Sequence, residues 1–438
     1  MKGKKLLPSI IAITLLMLHY SMNAQDTQIS TKDTLASSIK KIQSDLDILK
    51  KIKILGYIQA QAQFADSNGI ASYAGGNFNA NTDKRFMVRR GRVKFVYDNT
   101  LSQYVMQIDV TEKGIGIKDA YVRLTEPWAK AFHLTVGVFD RPFGFEIGYS
   151  SSSRESPERG RMSQIIFPGE RELGAMITFQ MPKESEFHFL KIDGGMFNGS
   201  GPTASDFDFQ KDFIGRIRAD KSFKEGKIKF GIGTSYYNGG WRQGTSKVYS
   251  IADDSLGLSA FLQDKDTLNY GSISKRTYNG GDLQLSVKSI IGTTTLRGEY
   301  ITGLQPGFSS TTVSPSSQPT SDTYIRKFNG AYFYLIQEIM KTKHQLVLKY
   351  DWYDPNTQIA GDDIGTSVKA PSGKTFSKTN KQDIKYITIG IGWTYHWDKN
   401  VKIVAYYDMV TNETSKNLSG YTQDLKDNVL SLRVQYKF

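Results

Sequence analysis

Three basic side chains follow one another at every second position of one segment, Arg90, Arg92 and Lys94. In an extended strand, side chains two positions apart lie on the same face, about 7 Å from one another. Like charges in such a row repel each other unless something neutralises them. The row therefore indicates either a surface that binds anions or a surface faced by acids, and the sequence leaves both open.

Further charged residues follow the same alternation on other segments. Where the apolar positions of a strand face one way, the charged positions face the other. We expect one basic face formed by Arg90, Arg92, Lys94, Arg123, Arg216, Arg218, Arg297, Lys349 and Arg433, with Lys288, Lys402 and Lys437 beside them. The same parity adds Asp109, Asp119, Asp282, Glu299, Asp351 and Asp408. Basic groups outnumber acids by about two to one, which favours anions in a pore.

The connection 140–171 carries both signs of charge. Its acids include Glu146, Glu155, Glu158 and Glu170, and its bases include Arg154, Arg159, Arg161 and Arg171. Facing an arginine-rich wall, the acids would create a transverse field across a constriction. The loop's own arginines could equally pair with these acids and simply hold the loop folded.

The end of the chain shows which kind of element positions these residues. Apolar and polar side chains alternate strictly there: Leu430, Leu432, Val434, Tyr436 and Phe438 on one face, and Ser431, Arg433, Gln435 and Lys437 on the other. A period of two excludes a helix. A strand that is apolar on one side and charged on the other fits a barrel wall between lipid and water.

Turn signals predict the number of such strands. From residue 52 to 438, seven short turns and eight loops join sixteen strands, to within two. Segment 242–275 is long enough to hide a hairpin, and 275–291 and 325–340 are each long enough to hide a bulge. We therefore predict an all-β, transmembrane, antiparallel β-barrel. Sixteen strands leave an aqueous channel inside such a barrel.

The first 51 residues divide into two parts. Residues 1–24 have the basic start and short apolar stretch of a signal peptide. Residues 25–51 form a predicted periplasmic segment, followed by the barrel at 52–438. Within that segment, apolar residues recur at heptad spacing: Leu35, Ile39, Ile42, Leu46 and Leu49. They predict a short helix, either zipped into a trimeric coiled coil or lying on the barrel's rim.

Composition excludes several classes of function. The chain has no cysteine, five histidines and a formal charge of +13. It has no GxSxG, HExxH or P-loop motif, so we expect no enzyme, no catalytic residue, no cofactor and no metal site. For an exported basic protein, lipopolysaccharide and small anions are more plausible partners than nucleic acid.

Four stretches together resemble the phosphate-selective porin O and P family, in the form common in Bacteroidetes. They are Arg85–Val93, Lys118–Val122, Gly137–Gly144 and Leu432–Phe438. The resemblance spans about residue 52 to the end and implies a trimeric 16-stranded barrel that passes anions by diffusion. Phosphate selectivity in this family depends on an arginine ladder, for which Arg90, Arg92, Arg123 and Arg141 are the candidates here. In general porins the loop corresponding to 140–171 folds into the barrel and forms its narrowest point.

The sequence thus predicts a bacterial outer-membrane porin with both termini in the periplasm. It would allow passive diffusion of small hydrophilic solutes and prefer anions, with phosphate as the candidate anion. Its terminal Phe438 resembles the residue that the barrel-assembly machinery reads. The alternative is a selective channel for sugars or small organic acids, in which inward aromatics form a stacking path or merely fill space: Tyr121, Phe139, Tyr332, Tyr334, Tyr353 and Tyr406.

Overall fold

The chain divides into two compact units, Met1–Lys51 and Ile52–Phe438. The computed structural model describes residues 34–253, 257–369 and 372–438, so the predicted signal peptide lies outside the described residues. Within those residues, no helix is long and apolar enough to cross a membrane.

The first unit is described from Thr34 onward, and this described part contains one helix, α1 (Thr34–Lys50). Lys50 pairs with Asp47 one turn earlier, at 3.1 Å. A cation in the last turn also interacts favourably with the helix dipole. The apolar seam is exposed at Ile39, Ile42, Leu46 and Leu49. The helix is thus present where the heptad spacing indicates it, and its association into a trimer stays a prediction.

The second unit is a closed, antiparallel, 16-stranded β-barrel, as the strand count predicted. Nineteen strands occur among the described residues, and three of them belong to long loops rather than to the barrel wall. The wall strands are β1 (Ile52–Ala65), β2 (Lys84–Asn99), β3 (Ser102–Thr111), β4 (Gly114–Thr125), β5 (Phe132–Asp140), β6 (Arg171–Gln180), β7 (Leu190–Phe197), β8 (Asp212–Phe223), β9 (Ile228–Arg242), β12 (Ile273–Ser289), β13 (Gly292–Gly307), β14 (Thr323–Glu338), β15 (His344–Asp354), β17 (Tyr386–His396), β18 (Val401–Asn412) and β19 (Val429–Lys437). The three loop strands are β10 (Val248–Asp253), β11 (Ser259–Asp264) and β16 (Phe376–Ser377).

Strands β1 and β19 close the barrel. They pair antiparallel from Tyr57 opposite Lys437 to Ala65 opposite Val429. Because the first and last strands meet in this seam, the wall has no unpaired edge. Along β19 the alternation is as predicted: Leu432, Val434 and Tyr436 are exposed on the outside, whereas Ser431, Arg433 and Gln435 are buried inside. The wall is therefore apolar outside and polar inside.

The connections fall into two sets, as the turn signals predicted. Seven are short and lie at one end of the barrel, here called the short-turn end; eight, including the tight turn at 112–113, lie at the other, here called the long-loop end. The connection after β9 does hide a hairpin, formed by β10 and β11. Its strand β10 also pairs with the start of β14, Val248 opposite Thr323.

The bulges lie elsewhere than predicted. Segments 275–291 and 325–340 keep a regular register with their neighbours. The register instead shifts at Arg89 on β2, between the pairs of Gln59 and Ala60, and at Lys118 on β4. A bulge places two residues opposite one, so it re-aims a side chain. In this barrel both bulges carry a basic residue.

Candidate functional site: the lumen and its inserted loop

The long connection between β5 and β6, residues 141–170 and here called the inserted loop, folds into the barrel. It contains one short helix, α2 (Arg161–Ile166). Most of its side chains are buried, although it connects two strands at the long-loop end. Its contacts reach wall strands on both sides of the lumen, so the loop crosses the channel rather than lying on one wall.

One end of the inserted loop is anchored on Glu299 of β13. The backbone N–H groups of Phe145 and Glu146 both donate to Glu299 Oε2, each at 3.0 Å. The Tyr332 hydroxyl donates to the same oxygen at 2.8 Å. Gly144 comes directly before, with φ +59°, and a Cβ on it would collide with the Glu299 carboxylate. Only glycine therefore lets the loop approach this wall.

The opposite side of the loop is anchored by Glu158. Its carboxylate accepts hydrogen bonds from Arg89 at 2.9 Å, from Arg90 at 2.7 Å and from Arg433 at 2.8 Å. Burial by itself would raise the pKa of Glu158, but these arginines together with Arg154 hold that pKa well below its usual value. The bulge explains why Arg89 and its neighbour Arg90 can both reach one carboxylate.

The same part of the loop contacts both strands of the closing seam. Ser151 bonds to β1: its carbonyl accepts from Gln59 Nε2 at 3.0 Å. Ser152 bonds to β19, because its carbonyl accepts from Gln435 Nε2 at 3.0 Å. Gln59 and Gln435 also bond to each other across the seam, at 2.7 Å. The inserted loop thus ties together the first and the last strand.

The basic residues predicted to line the pore lie inside the barrel, but nearly all of them have a carboxylate partner. The pairs are Arg90–Glu158, Arg92–Asp109, Lys94–Asp119, Arg141–Glu172, Arg216–Asp282, Arg218–Asp220, Arg297–Glu155, Lys349–Asp351 and Arg433–Glu158. Arg123 instead donates to the Thr135 hydroxyl at 3.2 Å, and no ion pair of its side chain occurs within the described ranges. Of the two interpretations of the row, facing acids therefore describe it better than free cations.

The loop's own charges divide between internal pairs and wall pairs. Arg159 and Arg171 both pair with Glu170 inside the loop region. Arg159 also donates to the Glu146 carbonyl at 2.9 Å. Glu155 instead pairs with Arg297 on the wall at 2.8 Å. Both alternatives left open by the sequence are thus realised, each by different residues.

Two loop arginines lack a carboxylate partner among the described residues. Arg161 lies between the rings of Tyr73 and Tyr386, at 4.5 and 3.6 Å from their centroids. Such contacts hold a cation by the electron-rich ring face. Arg154 is buried; burial and the nearby Arg159 and Arg90 lower its pKa to about 9. Its carbonyl accepts from Lys402 Nζ at 3.0 Å.

The aromatic side chains inside the barrel form a packed core with the loop. Phe143, Ile147, Met162 and Phe167 of the loop belong to one buried cluster with Tyr278, Phe328, Tyr332, Tyr334, Tyr353 and Tyr406 of the wall. The candidate stacking path for sugars is therefore not open, because five of its six rings are buried in this cluster: Phe139, Tyr332, Tyr334, Tyr353 and Tyr406. They fill space and support the loop.

An open space of about 260 Å³, here called the basic cavity, remains beside the loop near the short-turn end. Five basic side chains line it, Arg92, Lys94, Arg159, Arg171 and Lys437, against two acidic ones, Asp119 and Asp140. Lys437 forms no ion pair within the described ranges. The lining of this cavity thus contains more basic than acidic side chains. No group of His, Asp or Glu residues in the described part of the chain is arranged to hold a metal ion.

One set of contacts was missed in the sequence, the glutamines of β1. Gln59, Gln61 and Gln63 point inward and bond across the seam to Gln435, Arg433 and Ser431. The signal that could have found them is the alternation of glutamine with small residues over 59–63. Amides donate and accept at once, so such a row suits a buried polar seam.

No protein-family model matches the chain, and no curated protein sequence matches it. Solved structures are similar to it. OmpF of Salmonella typhi, in complex with daunomycin, has 12% identity over 88% of this chain and 97% of that chain, with a TM-score of 0.50. The anion-selective porin from Comamonas acidovorans has 10% identity over 88% and 99%, with a TM-score of 0.49. The outer membrane channel DcaP of Acinetobacter baumannii has 12% identity over 88% and 97%, also with a TM-score of 0.49.

The class that follows from the barrel and from the likeness to OmpF is a porin-type closed β-barrel. At 12% identity this likeness establishes the fold alone. Membership of the phosphate-selective porin O and P family stays a prediction from the motifs, as does the absence of catalysis.

Proposed function

We propose that the protein is an outer-membrane porin that lets small hydrophilic solutes diffuse passively, with a modest preference for anions. The observation that carries this proposal is the basic cavity, where five basic side chains face two acids. A net positive lining in a narrow, partly desolvated passage attracts anions and repels cations. The preference is modest because most of the wall arginines are neutralised by carboxylates.

The proposal includes the cellular location and the assembly that the sequence predicts. An apolar exterior and a polar interior support placement in the bacterial outer membrane, surrounded by lipid and lipopolysaccharide. We further propose a homotrimer, termini in the periplasm and recognition of Phe438 by the barrel-assembly machinery. Chemical cross-linking of the membrane-embedded protein tests the trimer: a band at three times the monomer mass supports it, and only monomers contradict it.

The first experiment is the zero-current potential of single channels in a planar bilayer under a KCl gradient. We expect the sign that corresponds to chloride preference. Lys437→Gln removes an unpaired charge from the basic cavity and should reduce the preference, whereas Lys183→Gln, on an exposed short turn, should not. A neutral or cation-selective wild type would contradict the proposal.

Phosphate is the finer part of the proposal. Arg92 and Arg171 both line the basic cavity, and guanidinium groups bind phosphate by two parallel hydrogen bonds. We expect inorganic phosphate to reduce the chloride current at concentrations where sulfate has less effect. Equal effects of the two anions would leave a general anion pore and remove the phosphate preference.

A further inference from the structure

A second open space, here called the vestibule cavity, lies at the long-loop end of the barrel. Its volume is about 540 Å³, within the range of small-molecule sites. Three long-loop segments enclose it: the end of the inserted loop at 166–169, the loop after β7 at 199–204 and the loop after β13 at 313–316. A solute that arrives from the long-loop side meets this cavity before the basic cavity.

Two guanidinium groups line the vestibule cavity, those of Arg141 and Arg276. Both lie close enough to Tyr237 to act on it electrostatically, and Arg276 is 5.1 Å from its ring centroid. Their counter-ions, Glu172 and Asp212, are 0% exposed and do not line the cavity. The carboxylates therefore fix the arginines from behind, while the cationic groups face the open space.

Buried polar atoms without a partner lie beside the vestibule cavity. Ser200 lines the cavity, is 5% exposed, and its hydroxyl has no hydrogen-bond partner within the described ranges. A buried polar group without a partner costs free energy, so native proteins pair such groups with protein, water or ligand. The Nε atoms of Arg141 and Arg276 are unpaired as well among these residues.

The remaining lining suits a compact body rather than a bare ion. Pro168, Pro202 and Pro315 present apolar ring faces, and Thr203 and Ser314 add hydroxyl groups. A bare inorganic anion would leave most of the volume unfilled. A ligand with an anionic group, several hydroxyls and an apolar ring face would use the arginines, the hydroxyls and the prolines together.

We propose that the vestibule cavity binds small hydroxylated organic anions, of the size of a sugar acid or a sugar phosphate. Their charged group lies between Arg141 and Arg276, and their hydroxyls bond to Thr203 and Ser314. The inference rests on the proposed channel function and names its solute class. Arg141 is adjacent in sequence to Asp140, which lines the basic cavity, so the two cavities lie near each other.

The test measures equilibrium binding of glucose 6-phosphate to the full-length protein in detergent, by calorimetry. Glucose lacks the charge and inorganic phosphate lacks the body, so both should bind at least about tenfold more weakly. If either binds as tightly as glucose 6-phosphate, the proposed solute class is wrong.

Variants locate the site. Thr203→Trp, at an exposed position of the cavity wall, should weaken glucose 6-phosphate binding by steric exclusion. R276Q/D212N removes one guanidinium together with its counter-ion, so no buried charge is left unpaired, and should weaken binding at least about tenfold. R216Q/D282N replaces a matched wall pair outside the cavity and should leave binding unchanged. Unchanged binding in Thr203→Trp would overturn the proposal even if the charge variant failed to fold.

The zero-current potential of the same proteins separates this inference from the proposed function. Chloride preference without glucose 6-phosphate binding overturns the vestibule site alone. Binding that depends on Thr203, in a channel without anion preference, supports the site and contradicts the selectivity.

Discussion

Glu158 shows how much of this barrel's interior depends on single side chains. Three arginines from β2 and β19 donate to its carboxylate, and it lies on a loop that enters from β5. All three arginines pair with the same carboxylate, so the loss of the Glu158 charge affects every one of them. Residues expected to attract solutes, Arg90 and Arg433, are instead used to hold the loop.

Glu158→Gln should release the inserted loop. The change leaves the arginines without a counter-ion in a buried site, and breaking a buried ion pair costs about 3–5 kcal/mol. We expect a lower temperature for the gel shift that marks barrel unfolding, and larger current fluctuations in single channels. Glu184→Gln, on an exposed short turn, is the control. Steady wild-type currents in the variant would show that the loop is held by other contacts.

Protonation of Glu158 at low pH should loosen the contact between its carboxylate and the three arginines. Burial opposes ionisation of Glu158, but its arginines depress the pKa well below the unfolded value of about 4.3. A depressed folded-state pKa gives stability that is complete above the unfolded pKa and is lost as the pH falls through the folded one. The contribution of Glu158 to the unfolding temperature, measured as the difference between the wild type and Glu158→Gln, should therefore be constant from pH 7 to 5 and fall below about pH 4. A difference that does not change with pH would contradict the assignment.

At the scale of the element, the inserted loop is positioned by two anchors on opposite walls. Glu299 holds its start and Glu158 its later part, and the apolar cluster of Phe143, Met162 and Phe167 fills the space between. A loop held by two anchors and packed between them narrows the channel. The element itself thus sets the dimensions of the open cavities.

Gly144→Ala should disturb the first anchor. At φ +59° a non-glycine residue is strained, and its Cβ would meet the Glu299 carboxylate. We expect noisier single-channel currents and a lower unfolding temperature. Gly148→Ala is a matched control four residues on, because a Cβ there meets nothing within 4 Å. Equal behaviour of the two variants would show that Glu299 moves aside.

At the scale of the whole molecule, the strands were predictable and the contacts across the lumen were not. A period of two and the turn signals predicted sixteen strands, and parity predicted that Arg433 points inward. The alternation predicts which way a side chain points but not which residue it contacts across the lumen. The partner of Arg433 is Glu158, 275 residues away in the chain. The bulges at Arg89 and Lys118 were not predicted, because one extra residue keeps the alternation within each flanking segment and changes only its phase.

The inserted loop and the closing seam are coupled, because Ser151, Ser152 and Glu158 bind β1, β19 and β2 together. We therefore expect the barrel to open first at the seam once the contacts of Glu158 with the arginines are lost. The chain has no cysteine, so introduced pairs form without competition. In the Glu158→Gln background, the disulfide of A62C/L432C, which joins opposite residues of β1 and β19, should restore the unfolding temperature.

The control disulfide is L348C/I391C, which joins opposite residues of β15 and β17 away from the seam. A disulfide at any position restricts the unfolded chain and adds some stability. Only a crosslink at the place where opening begins should, in addition, cancel the specific effect of Glu158→Gln. The comparison is the unfolding temperature of each pair, oxidised and reduced, with and without that substitution. If both crosslinks compensate equally, the barrel does not open at the seam, and the loop's contacts there serve the pore rather than closure.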